Sequence, residues 1–241
     1  MSNPRQTNVR QPRRSPDRSA GFSLIELLVA VMLAIFLLGG LFAIIQSNKR
    51  AFTSQTTLSQ QQDNERFAMT IVSEVLQSAG YFPDPTAQTS NALFTVLAPY
   101  TSAGQVVAGT SGGATGDTIT VRYYGSPTTT VINCDGSQAN VAQIYTNQFS
   151  VNTAGQLVCV MNGGLPLPLV DGVSRLDVLY GVTTQPNSTT TSIDTYFTAS
   201  NMAAANWPNV VSVKFTITFN NALATSVAQQ LIPLTRTVAI I

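Results

Sequence analysis

The chain has 241 residues, 12 Lys/Arg against 11 Asp/Glu, two cysteines and no histidine. Without histidine there is no Ser-His-Asp triad, Cys-His dyad, imidazole general base or His-ligated zinc. The net charge of +1 is unevenly spread, and the spread argues against a basic body of the kind that binds nucleic acid directly.

Residues 1–21 hold Arg5, Arg10, Arg13, Arg14 and Arg18 against Asp17, a local +4. From Phe22 onward seven basic side chains face ten acidic ones, a balance of −3. The arginines therefore read as a topology or processing signal.

Residues 22–45, FSLIELLVAVMLAIFLLGGLFAII, are 24 consecutive positions in which Glu26 is the one charge. About 20 apolar residues cross a hydrocarbon core, so the run predicts a membrane helix. It is too long for a secretory signal, whose apolar stretch is roughly 7–15 residues, and QSNKRAF after it offers no small-x-small cleavage site. The span is expected to be retained. Arginines ahead of it favour a cytoplasmic N-terminus with the following domain outside; Lys49 and Arg50 on the far side weaken that bias without cancelling it. Gly39 and Gly40 inside the run have three readings: close helix packing, a point where the helix yields, or lipid-facing positions without a role.

Residues 46–79 continue the helix with one apolar face. Phe67, Ile71 and Val75 are four apart, with Ala68, Val72, Leu76 and Ala79 alongside. Gly80 is a natural stop, reinforced by Pro83 and Pro85. The Gln-, Ser- and Thr-rich run 46–62 is expected to be the weaker part.

From residue 80 the pattern changes to short alternating runs. In VVSVKFTITF (210–219), Val211, Val213, Phe215, Ile217 and Phe219 point one way and Ser212, Lys214, Thr216 and Thr218 the other. DTITVRYYG (117–125), LDVLYGV (176–182), LVCVM (157–161) and LTRTVAI (234–240) are further strands, and 102–116 and 183–192 read as loops. Alternation with one wet face suits an antiparallel sheet. The predicted class is α+β, one long N-terminal helix on a mainly antiparallel sheet. Cys134 and Cys159 both lie in this part. In an exported chain they form one disulfide, stabilising by roughly 3 kcal/mol in the chain-entropy model; the alternative is two buried thiols.

Glu26 is the sharpest single signal. A carboxylate at the centre of a span costs roughly 2.5–3.5 kcal/mol on insertion scales, and less near an end. One reading is an acid tolerated at the interface; the other is a partner for a positive charge on another chain. The residues around it bear on that choice. Gly21-Phe22-Ser23-Leu24-Ile25-Glu26, after a polar basic leader and before an apolar helix, resembles the class III signal of type IV pilins and type II secretion pseudopilins. The resemblance implies a prepilin peptidase that cuts between Gly21 and Phe22 and N-methylates the new Phe22 amine. It also implies that Glu26 pairs with such an amine during assembly, setting axial register.

Further along, DNERFAMTIVSEVLQSAGYF (63–82), GDTITVRYYG (116–125), LVDGVSRLDVLYGV (169–182) and WPNVVSVKF (207–215) are similar to stretches of the PilW family of minor pilins, relatives of the J-type pseudopilins. That resemblance implies a pilin-like fold and four segments. Residues 1–21 are a cleaved leader, 22–45 the membrane and filament-core helix, 46–79 its amphipathic continuation, and 80–241 an extracytoplasmic β-rich domain. It implies a structural minor pilin of a bacterial type IV pilus, without catalytic residues, held in the inner membrane with its domain in the periplasm until assembly. The implied partners are prepilin peptidase, other minor and major pilins, the inner-membrane assembly platform and the lipid bilayer. The alternatives are a pseudopilin of a type II secretion system and a membrane-anchored adhesin whose loops 102–116 and 183–192 bind a surface ligand. An anchored enzyme lacks support, because there is neither histidine nor a paired-acid constellation.

No cofactor or metal is expected. TSGGATGD (110–117) lacks the Lys and spacing of a phosphate loop. Asp171 and Asp177 lack the dense acidic loop that Ca²⁺ takes. Asn187-Ser188-Thr189 fits a glycosylation sequon. Trp207 before Pro208 is expected to anchor the start of the next strand in the core.

Overall fold

The computed structural model describes residues 21–183 and 192–240. The leader arginines and the Asn187 sequon lie outside the described residues, as do positions 184–191 of the loop expected at 183–192. The chain separates into two compact units, one through Thr53 and one from Ser54.

Helix α1 runs Leu24–Gln77, 54 residues. Its end is built as the glycine predicts. Ala79 N donates to the Leu76 carbonyl, and Gly80 takes φ +76°, the left-handed conformation that a helix stop uses. Gly80 N then donates to the Arg122 carbonyl at 2.9 Å, tying the helix end to a strand. Within the second unit the helix buries Ala68, Met69, Ile71, Val72, Ser73, Val75 and Leu76. Phe67, expected on this face, is instead 51% exposed, and Met69 takes a place on it. At 100° per residue Phe67 lies about 140° from the centre of the buried stripe and Met69 about 60°.

Among the described residues nine strands follow, in two antiparallel sheets rather than the one expected. The first has the order β1-β2-β3-β4-β5, with β1 Val107–Thr110, β2 Thr118–Gly125, β3 Gln143–Val151, β4 Gln156–Met161 and β5 Leu167–Asp171. The second has the order β7-β6-β8-β9, with β6 Val173–Val182, β7 Thr195–Phe197, β8 Val210–Asn220 and β9 Leu231–Ala239. A four-residue helix α2, Ser90–Leu93, precedes β1. The segment 102–116, expected as a loop, contains β1. The chain passes from one sheet to the other between β5 and β6 through Gly172, at φ +79°, a conformation glycine adopts without Cβ strain.

Helix and sheets share one core. Val72, Val75 and Leu76 cluster with Ile119, Val121 and Phe149 of the first sheet and with Val178, Tyr180, Phe215 and Ile217 of the second. In β8 the expected alternation holds from Val213 onward, but Val210 rather than Val211 is buried at its start. The register with β6 slips there, with Gly181 opposite Ser212 and Val182 opposite Val210. Such a bulge turns the preceding side chains to the other face. Trp207 is buried in a 3₁₀ turn just before β8, its ring 4.8 Å from that of Tyr180.

The connection between β2 and β3 contains no regular strand or helix, and side chains hold it in place. Cys134 forms a disulfide with Cys159 of β4, their Cα atoms 6.3 Å apart. Beside it, Tyr123 Oη donates to Asn133 Oδ1, Asn147 Nδ2 to Tyr123 Oη at 3.0 Å, and Cys134 N to Asn147 Oδ1 at 3.0 Å. Asn147 is fully buried, so this network satisfies polar groups that would otherwise cost about 1–3 kcal/mol each.

Two predictions come from this core. The double variant Cys134→Ser, Cys159→Ser should lose about 3 kcal/mol of stability in urea denaturation, with proteolysis of the 126–142 connection accelerated. The second concerns pH. Burial pushes the Tyr123 phenol up to about 12, and burial also raises Tyr180, helped by the charge of Asp117. A folded-state value above the unfolded one, near 10, means stability is complete below pH 10 and is lost as pH rises through the folded values. Alkaline titration should therefore show these phenolates appearing together with loss of β-sheet circular dichroism. Ionisation of Tyr123 with its ordinary value in a fully folded protein would contradict that.

Candidate functional site: the first turn of the long helix

Gly21 and Phe22 precede α1 in exposed, non-helical backbone. The Ser23 carbonyl accepts the first two helical bonds, from Glu26 N at 3.0 Å and Leu27 N at 3.2 Å. Glu26 is thus the third residue of the helix and the acid of its first turn. There it faces unpaired N–H groups and the positive end of the helix dipole, a placement worth about 0.3–1 kcal/mol at an exposed site. The Ser-x-x-Glu spacing of Ser23 and Glu26 was readable in the sequence as a helix start, and it gives the acid a local reason independent of any partner.

Phe22, just ahead of the helix, and Glu26 in its first turn line the same surface. With Leu27, Ala30, Val31 and Ala34 they line a shallow groove of about 520 Å³. Glu26 is its one charged member.

From Leu27 to Asn48 the helix carries no charge, a length of roughly 33 Å at 1.5 Å per residue, which matches a hydrocarbon core of about 30 Å. Glu26 marks one end of this run and the exposed Lys49 and Arg50 the other. Its 18-residue window reaches a mean hydropathy of 2.9 with no residue buried. Large apolar side chains point outward all the way round, including Phe36 at 79% and Phe42 at 62% exposure. A helix apolar on every side belongs in lipid or among other helices. The helix passes unbroken through Gly39 and Gly40, where an added Cβ would meet nothing within 4 Å. Among the described residues nothing demands glycine at these two positions.

The remaining sequence candidates fall into structural places. In 110–117, Asp117 accepts from Gly112 N at 3.0 Å and Val178 N at 2.8 Å, and a Cβ on Gly116 would collide with the Leu176 carbonyl. That close approach accounts for the glycine. Asp171 accepts from Gln156 Nε2 at 2.7 Å, and Asp177 pairs with Arg175 at 2.6 Å. Among the described residues no group of three His, Cys, Asp or Glu side chains could hold a metal ion. Arg122 was not singled out. The alternation of β2 puts it on a wet face, and only the cover provided by residues 94–105 makes it a buried cation.

Two family models match the chain. Residues 139–234 match PilW, Type IV Pilus-assembly protein W. Residues 16–42, a stretch that contains the whole Gly21–Glu26 signal, match the Prokaryotic N-terminal methylation motif. Each is a likeness of part of the chain to pilus-related proteins. No curated protein and no solved structure gave a match.

Proposed function

We propose that the chain is a minor pilin made as a prepilin, and that it acts structurally in assembling or initiating a bacterial type IV pilus with other pilins. The observation that carries this reading is the first part of α1, charge-free and exposed from Leu27 to Asn48, with a lone acid in its first turn four residues after Phe22. On this reading prepilin peptidase removes the basic leader between Gly21 and Phe22 and N-methylates Phe22. The cut leaves the span in the inner membrane, with its N-terminus cytoplasmic and its β domain periplasmic, ready for extraction by the assembly platform.

The chemistry of the first turn supports it. A new amine at Phe22 places a positive charge at the positive end of the helix dipole, where it is unfavourable. Glu26 of a neighbouring chain offsets that charge and fixes the axial step between subunits. Both charges leave water together, and breaking such a buried pair by removing one partner costs about 3–5 kcal/mol. Because Glu26 ends the apolar run, membrane insertion itself depends little on it.

A pseudopilin of a type II secretion system uses the same helix physics; the PilW match favours the pilus. The adhesin alternative retains loop 102–116, now with β1 inside it.

Mass spectrometry of protein from cells with prepilin peptidase should find a mature N-terminus at methylated Phe22; an uncut leader would refute processing. Glu26→Ala should insert normally yet enter filaments about 10²- to 10⁴-fold less, the range that a lost buried partner implies. Deletion of the gene should reduce piliation while leaving type II secretion intact, and the opposite pattern would establish the pseudopilin reading.

A further inference from the structure

The face of the five-stranded sheet opposite the shared core carries a groove of about 580 Å³. Its floor is Thr120 and Arg122 of β2, Thr146 and Gln148 of β3 and Asn162 just after β4, and residues 95–100 form a wall. These positions are adjacent by register, with Thr120 opposite Gln148 and Arg122 opposite Thr146. The lining thus mixes apolar side chains (Leu97, Ala98, Pro99, Ile144 and Val160) with amides and hydroxyls, and holds one cation and no acid.

Arg122 is 2% exposed. Its Nε donates to the Gln105 carbonyl at 2.6 Å, Nη1 to Thr95 at 2.7 Å and Nη2 to Phe94 at 3.1 Å. Its Cζ lies 4.0 Å from the Tyr100 ring centroid and 5.4 Å from that of Phe94. These contacts clamp residues 94–105 over β2, but they neutralise nothing. A guanidinium has five N–H donors, and the carbonyls engage three of them. Burial lowers its pKa from the usual arginine value, as expected of a desolvated cation without a carboxylate.

A second observation falls in the same place. Among the described residues three buried hydroxyls have no hydrogen-bond partner: Tyr100, Tyr180 and Ser212. Tyr180 Oη and Ser212 Oγ sit where a Cβ on Gly109 or Gly181 would meet them, so they are packed against backbone. Tyr100 lines the groove. An unpartnered phenol and a cation with unused donors therefore meet at one opening. Both are answered by an anionic acceptor, and the surrounding amides and hydroxyls suit a ligand that is itself hydroxylated.

We propose that this groove binds a carboxylated saccharide. Its carboxylate takes the free Arg122 N–H groups and the Tyr100 hydroxyl, and its ring hydroxyls take Gln148, Thr146 and Asn162. The site is separate from the helix that serves assembly, so a pilus subunit carrying it would contact acidic polysaccharide directly.

The test is calorimetric titration of the full chain in detergent with D-glucuronate, D-glucose and acetate. Glucuronate should bind saturably and at least tenfold more tightly than either of the others. Glucose binding equally well would remove the role of the charge, and acetate binding equally well would remove the saccharide. Tyr100→Phe distinguishes recognition from clamping. It deletes a hydroxyl that has no partner in the free protein, so the melting temperature should hold or rise while glucuronate affinity falls roughly tenfold. Gln148→Ala, on the groove floor away from the clamp, should weaken binding without changing the fold. Unchanged affinity in both variants, or no glucuronate binding by the parent chain, would overturn the proposal.

Discussion

Water cannot solvate the first half of α1, and that constraint governs the rest of the molecule. Between Leu27 and Asn48 there is no charge, and among the described residues every side chain there is exposed. A soluble amphipathic helix solves its burial problem with one stripe. This segment has apolar surface all round, so its cover must come from lipid or from other helices. A filament built of such helices provides the second kind of cover, and a bilayer the first. The proposed life of the chain is a transfer between the two.

The second half of the same helix solves burial in the ordinary way. Ala68, Val72, Val75, Leu76 and Ala79 form a stripe against both sheets. Small Ala68 and Ala79 at its two ends allow close approach, and Arg236 of β9 donates to Ser73 Oγ at 3.0 Å. Gly80 then ends the helix on the Arg122 carbonyl. Arg122 is therefore used twice: its backbone receives the helix end, and its side chain holds the covering segment 94–105. One strand residue links the helix to the face that carries the groove.

What was legible in the sequence follows from which forces act locally. The long apolar helix, the stop at Gly80 and strands β2, β4, β6, β8 and β9 are set by hydrophobic period and turn chemistry. Strand β3 was hidden although its burial alternates cleanly, because buried Asn147 interrupts the inward set and Ile144 stands on the outward one. Asn147 is inward because it bonds Tyr123 and Cys134 N, partners distant in sequence. Strand β5 was masked by Pro168, which an edge strand tolerates. Phe67 was misplaced because its four-residue spacing to Ile71 and Val75 fits a stripe as well as Met69 does; only the sheets beneath decide. The division into two sheets rests on partners across space, and no local pattern encodes it.

The position of Glu26 resolves the tension between a charged residue and an apolar span. An acid in the middle of the run would cost insertion energy throughout the life of the chain. At the third helical position it lies at the positive end of the helix dipole and at the edge of the charge-free run. It is therefore inexpensive while the chain waits in a bilayer. On the proposed reading its demand for a partner rises only when the helix moves into a filament and the edge of the run becomes interior. A residue nearly neutral before assembly and strongly coupled after it acts as a register pin, because its energy discriminates among axial positions only where discrimination is needed.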